Sequence, residues 1–178
     1  ATSSAGLPLY YLSASTGVAT VNFSNGLVTI RGVGTSVMTA SNFASANYQA
    51  ASTNQTLTVN KALLTVTASN ATRAFGQTNP PLVFSISGFK NGEGTNVLIS
   101  QPTISTTATT NSAAGTYPIT VSGGSAANYS FSYSNATLTV TSASQTITFN
   151  AIPVKNLDEV SFTLNATASS GLAVSYTS

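Results

Sequence analysis

Glu93, Asp158 and Glu159 are the only acids in 178 residues, and Arg31, Lys61, Arg73, Lys90 and Lys155 are the only cations. General acid–base catalysis needs two titratable groups held across a pocket. Glu93 follows Asn91-Gly92, a turn pattern, and Asp158-Glu159 reads as a solvated loop. With no His and no Cys, zinc, iron and copper lack their usual ligands, and neither a His- nor a Cys-based triad can be written. A calcium site wants several oxygen ligands with carboxylates among them, and residues 61–144 hold one acid.

Lys155 beside Asp158 and Glu159 has the residue types of a Lys–Asn cross-link with an acid as catalyst, but a surface ion pair explains it more simply. Arg73, ahead of Pro80-Pro81, reads as a packing or hydrogen-bonding residue rather than an anion site. Tyr10, Tyr11, Tyr48, Tyr117, Tyr129, Phe131 and Tyr133 have the chemistry of a sugar-stacking platform, and core filling is the commoner use of such rings. Asn-x-Ser/Thr occurs at Asn22, Asn54, Asn70, Asn128, Asn135 and Asn165, as chance provides in a chain with 27 Ser and 29 Thr. No catalytic, cofactor-binding or metal residue is assigned, no cofactor is expected, the ligand-binding residues are unknown, and the chain reads as no enzyme.

Composition narrows the rest. Charged residues are 4% of the chain, and a net charge of +2 implies no nucleic-acid partner even at a pI near 9.1. No apolar run approaches a membrane span, so no membrane insertion is expected in this segment. At 42% hydrophobic, the chain can fill a core.

The elements that carry these residues read as strands. Leu82, Phe84 and Ile86 alternate with Val83, Ser85 and Ser87. Tyr129, Phe131 and Tyr133 alternate with serines, Leu138 and Val140 with threonines, and Ile147 and Phe149 with Thr148 and Asn150. Large apolar groups on one face and small hydroxyls on the other describe half-buried antiparallel strands. Asn25-Gly26, Asn79-Pro80-Pro81, Asn91-Gly92 and Gly123-Gly124 read as turns. Ser41 to Ala51 is the one stretch that suggests a turn of helix.

Two internal repeats define the units. At an offset of 81, Ala46-Asn47-Tyr48 recurs as Ala127-Asn128-Tyr129, Gly34-Thr35 as Gly115-Thr116, and Thr39 as Thr120. The same offset maps Asn54, Thr56, Leu57, Thr58 and Val59 onto Asn135, Thr137, Leu138, Thr139 and Val140. At an offset of 165, Ala1-Thr2, Ser4, Gly6-Leu7, Tyr11 and Ser13 recur as Ala166-Thr167, Ser169, Gly171-Leu172, Tyr176 and Ser178. The expected organisation is residues 1–60 as an Ig-like domain lacking its first strands, 61–144 as a complete β-sandwich, and 145–178 as the opening strands of the next Ig-like repeat. The expected fold is all-β, a row of tandem Ig-like sandwiches in an elongated stalk.

The middle unit resembles the MBG (YGX-type) domain of large bacterial surface adhesins. The resemblance rests on Lys61-Ala62, Leu64-Thr65-Val66-Thr67-Ala68, Arg73, Phe75-Gly76, Asn79-Pro80, Gly88-Phe89 and Asn91-Gly92-Glu93. Gly115-Thr116-Tyr117-Pro118-Ile119, Ala127-Asn128-Tyr129 and Leu138-Thr139-Val140 complete it. Phe75 stands where that family usually has Tyr. The flanks are similar to bacterial Ig-like repeats, through Gln145-Thr146-Ile147-Thr148-Phe149, Ser170 to Tyr176 and the earlier copy at Ala5 to Tyr11, followed by Gly17 to Val21 and Ala46-Asn47-Tyr48. The resemblance implies a secreted, non-enzymatic segment of a bacterial surface adhesin, located outside the cell.

The junctions point to a stalk. Only Asn60 to Leu63 separate two strand patterns at one junction, and Thr141 to Gln145 is expected to be equally short at the other. Neither has the composition of a flexible linker. The expected partners are neighbouring repeats, or copies of the chain itself, end to end. Strand edges without Lys or Glu are open to pairing, so an extracellular filament built by head-to-tail strand complementation is the alternative reading. A glycan-binding module, with host or environmental glycans as partners, is the third.

Overall fold

The computed structural model describes residues 1–158 and 160–177. The fold is all-β. The head, residues 1–60, contains β1 (Tyr10–Ser13), β2 (Ala19–Val21), β3 (Val28–Ile30), β4 (Gly34–Asn42) and β5 (Ala51–Val59). The middle, residues 61–144, contains β6 (Ala62–Ala68), β7 (Ala71–Ala74), β8 (Phe84–Ser87), β9 (Leu98–Thr106), β10 (Gly115–Ala126), β11 (Tyr129–Ser134) and β12 (Ala136–Thr141). The tail has β13 (Ile147–Phe149) and β14 (Ala166–Ala168).

The middle is a two-sheet sandwich. One sheet runs β7-β12-β10-β9 and the other β11-β6-β8. Leu138 and Val140 of β12 and Ile119 and Val121 of β10 alternate inward and are buried. Leu138, Ile119 and Val121 meet Val66 and Ala68 of β6 in one apolar core. The threonines between them stay on the outer face, where β-branched side chains favour extended backbone.

β11 and β12 are one run of chain divided between the two sheets. β11 pairs in parallel with β6, and β12 pairs antiparallel with β10 and in parallel with β7. Asn135 alone lies between them, and its Oδ1 accepts the Val121 backbone N–H at 3.1 Å. That bond satisfies a β10 donor at the point where the partner strand departs.

The head repeats half of this plan. Its main sheet runs β1-β4-β5, and β2 and β3 form a separate two-stranded antiparallel sheet. Gly34 pairs with Val59 and Ser36 with Leu57, as Gly115 pairs with Val140 and Tyr117 with Leu138, so the 81-residue repeat is also a repeat of strand register. β1 stands where β9 does: Ser13 faces Met38 as Thr106 faces Ile119, and Tyr11 faces Ala40 as Ile104 faces Val121. β5 differs from β11–β12 because it stays on β4 along its whole length, and no other strand among the described residues pairs with it. The buried residues here are Ala19 and Ser36, the latter held by Ser13 Oγ at 2.8 Å and the Ser15 N–H at 3.0 Å.

In the tail, β13 and β14 form a two-stranded ladder matching Ile147 to Ala168 and Phe149 to Ala166. Ile147 and Phe149 are about half exposed, since among the described residues the tail has no second sheet to cover them. The 165-residue repeat is visible as geometry. Gly6 donates to the Ser3 carbonyl at 3.1 Å and Gly171 to the Ala168 carbonyl at 3.0 Å, with φ of 65° and 73°.

Three local expectations need correction. Ser41 to Ala51 forms no helix: β4 runs on through Asn42, a bend follows, and β5 begins at Ala51. The helical turn among the described residues is 3₁₀, at Thr95–Val97. Gly123-Gly124 is not a chain reversal but lies inside β10 beside a bulge at Ser125/Ala126. Both glycines have positive φ, and a Cβ on Gly124 would come within 3.0 Å of the Pro102 ring on β9. Finally, the junctions are unequal: two residues separate β5 from β6, and five separate β12 from β13.

Candidate functional site

The first junction is the most built feature outside the core. Ala62 opens β6 by donating to the Asn128 carbonyl at 3.0 Å, and the same residue's Oδ1 accepts the Val33 N–H of the head at 3.1 Å. Lys61 Nζ donates to the Ala126 carbonyl at 3.3 Å. A link of two residues, fastened on both sides by one asparagine, restricts bending between head and middle. A crevice of about 170 Å³ opens there between Arg31, Lys90, Asn91, Glu93 and Asn128.

Glu93 enters this region from a turn, as the sequence predicts. Asn91 and Gly92 have φ of 54° and 74°, and the Glu93 N–H returns to the Lys90 carbonyl at 2.9 Å. Two successive positive φ values are those of a type I′ turn. Glu93 accepts a hydrogen bond from the Tyr129 hydroxyl, which itself accepts the Lys90 N–H at 3.0 Å. The bond to Glu93 holds the neutral phenol and pushes the Tyr129 pKa above its ordinary 10.0, with burial adding to the rise and the Lys90 N–H opposing it. Glu93 thus anchors a tyrosine, and among the described residues no group of three metal-ligating side chains gathers around it or elsewhere.

Arg73 is 7% exposed and spends its donors on the fold: Nε to Asn79 Oδ1 at 2.7 Å, Nη1 to the Ala74 carbonyl at 3.1 Å, and Nη2 to the Thr109 carbonyl. Asn79 passes the connection on to the Ala108 carbonyl at 2.7 Å. Lys155 lies 5.5 Å from the centre of the Phe162 ring, a cation–π distance. Asp158 is exposed, and Glu159 lies outside the described residues, as does Ser178 of the longer repeat.

The aromatic residues separate. Tyr129 is buried, and Tyr11, Tyr117 and Phe131 are half-buried. Tyr48 and Tyr133 are exposed, the latter bonded to the Gly123 carbonyl at 2.5 Å. Tyr10 gathers two rings that were not among the predicted platform residues, Phe23 at 4.8 Å and Phe43 at 4.7 Å between centroids. Phe43 is 65% exposed. The rings are tilted by 30° and 49°, so they form a cluster rather than a flat shelf.

Five of the six Asn-x-Ser/Thr asparagines have structural work. Asn22 caps Ser24 and Asn25, Asn54 accepts from Thr39, and Asn70 accepts from Thr137. Asn128 ties the junction, and Asn135 the strand switch. Sequence reasoning treated all of these as chance matches. The signal that marks Asn128 is its place in the repeated Ala-Asn-Tyr.

Residues 64–139 match the MBG domain (YGX type), and residues 1–44 match the immunoglobulin-like domain of intimin. These are domain families of bacterial surface proteins. No curated protein matches the chain. Among solved structures, domains 1–6 of the surface layer protein SbsC are similar at 14% identity and a TM-score of 0.30, over 92% of this chain and 23% of that one. The chain therefore spans under a quarter of that structure's length, and a likeness at that score carries nothing about function.

Proposed function

We propose that this chain, which carries an MBG domain and an intimin-type Ig-like domain, is a non-enzymatic repeat segment of a secreted bacterial adhesin. In this reading it serves as a stalk outside the cell. The observation that supports it is the first junction, where two linker residues and the Asn128 bridge join head to middle. Strands lie on both sides of the link, so pull is borne by hydrogen-bonded ladders rather than by a slack linker. Small-angle scattering on a chain of several repeats in tandem tests it. A maximum dimension growing in proportion to repeat number is expected, and coil-like scaling would contradict it.

A glycan-binding reading has one observation in its favour, the Tyr10–Phe23–Phe43 cluster with Phe43 open to solvent. Binding to arrayed glycans that Phe43→Ala abolishes would support it, and no binding by the parent chain would remove it.

A further inference from the structure

Charge is scarce in this chain, and it gathers at the first junction. Of the five cations, Arg31, Lys61 and Lys90 lie where head meets middle. Arg31 and Lys90 line the crevice of about 170 Å³ together with Asn91, Asn128 and Glu93. Arg31 comes from the head and the other four from the middle, so neither part forms the site alone. Pockets that enclose a drug-sized ligand run to roughly 300–1,000 Å³ and favour domain interfaces. A smaller crevice at such an interface suits one compact polar group rather than a chain of sugars.

The donors around this crevice are largely unspent. Arg31 is placed by its backbone N–H, which bonds the Val18 carbonyl at 2.8 Å, and of its guanidinium only Nε is engaged, with Thr20 Oγ1 at 3.4 Å. Lys90 gives its backbone N–H to the Tyr129 hydroxyl at 3.0 Å, and its carbonyl accepts the Glu93 N–H at 2.9 Å. Its ammonium group has no partner among the described residues. Asn128 Oδ1 accepts the Val33 N–H, which leaves the amide NH₂ as a donor. Glu93 is the one acid in the crevice, and its carboxylate already accepts the Tyr129 hydroxyl. Two cations against one carboxylate leave the site positive.

We infer that this crevice binds a single oxyanion group, a sulfate or a carboxylate, with Arg31 of the head and Lys90 and Asn128 of the middle as its donors. A guanidinium presents parallel N–H groups to two oxygens of such an anion, and an ammonium adds compact charge. Hydrogen bonds to an ionised oxygen are shorter and stronger than neutral ones. A ligand that bonds both parts binds best when they are held together, so it shifts the joint toward the closed arrangement. The bound anion therefore stiffens the link that Asn128 already ties. This gives the stalk a ligand at its joint, and it rests on the stalk reading for the use made of that stiffness.

Amide NMR on the isotope-labelled chain tests it, with sodium sulfate titrated against sodium chloride at equal ionic strength so that general screening cancels. Saturable shifts are expected at the Val33 and Lys90 backbone N–H groups and at the Asn128 side-chain amide, and not across the rest of the surface. Arg31→Gln and Lys90→Gln should each weaken binding at least about fivefold, as loss of a charged hydrogen bond does. Arg31→Lys should fall between Arg31→Gln and the parent, because it keeps the charge and loses the fork. Both side chains are exposed and lie outside the strands, so these variants keep the fold. Repeating the titration with a sulfated disaccharide identifies the source: tighter binding than sulfate assigns the group to a sugar, and binding of sulfate alone assigns it to the free ion. Shifts that never saturate and spread over the surface overturn the proposal, as does parent affinity in both Gln variants. That failure leaves the scattering test of stiffness untouched, and coil-like scattering leaves the titration untouched.

Discussion

β4–β5 in the head and β10–β12 in the middle are the same strand pair in the same register, and they end in opposite states. Leu138, Val140 and Ile119 are buried, whereas their counterparts Leu57, Val59 and Met38 are only half-covered. The pair does not make its own core. The middle has a three-stranded second sheet over β12 and has β7 along its edge, whereas the head has only the two-stranded β2–β3 ladder as a second sheet and, among the described residues, no strand along the outer edge of β5. A sandwich sheet is stabilised chiefly by what lies on it and beside it, not by its own ladder.

The largest expected difference between the two regions is in truncating equivalent leucines. Leu138→Ala should destabilise the middle by about 2–5 kcal/mol, the range for a fully buried leucine leaving a cavity. Leu57→Ala should cost under about 1 kcal/mol, because a half-covered site is already partly hydrated. Urea unfolding of both variants decides this, and equal losses would break the comparison.

Next in size is Arg73→Met. Position 73 corresponds by the 81-residue offset to Val154, so a buried cation with three hydrogen bonds into the fold matches an exposed valine in the tail. Removing Arg73 strands the Thr109 carbonyl and Asn79, and should cost about 2–3 kcal/mol, the scale for losing charged hydrogen bonds in a buried site. The same thermal or urea measurement on Val154→Ala should show no change.

Asn135→Ala sharpens the contrast at the strand switch. It leaves the Val121 N–H without its partner and should cost about 1–2 kcal/mol. Asn54→Ala, its counterpart, removes only an exposed bond from the Thr39 hydroxyl and should stay within about 0.5 kcal/mol.

The smallest effect is alkaline. Tyr129 has its pKa raised in the folded state, so its contribution is fully present below 10.0 and is lost as pH rises from there through the raised value. Tyr129→Phe should flatten that part of the stability–pH curve. A variant as alkali-sensitive as the parent would exclude the Glu93 bond as the cause.

How far the sequence revealed this depends on whether a signal was local. Alternation marked β8, β11, β12 and β13, and Asn91-Gly92 marked a turn that has both positive φ values. Gly123-Gly124 misled because paired glycines serve a bulge against Pro102 as well as a reversal. The strand switch was not read from the sequence, although it leaves a change of phase there: the apolar positions are 129, 131 and 133 before Asn135, then 138 and 140 after it. A one-residue slip turns a strand over to the other face, which is what moving between facing sheets requires. Asn128 was not legible as a clasp, since its partner Val33 lies 95 residues away and offers only a backbone N–H. The Tyr10 cluster escaped because Phe23 and Phe43 sit in loops without periodic neighbours.

The central claim is that one strand pair is completed in the middle and left open in the head. Amide hydrogen exchange on the dilute chain tests it most directly. Amides of residues 138–140, paired on both sides, should be protected throughout, while the outward-pointing amides of residues 51–59 exchange at near-free rates. Equal protection of the two strands in dilute solution would contradict the account.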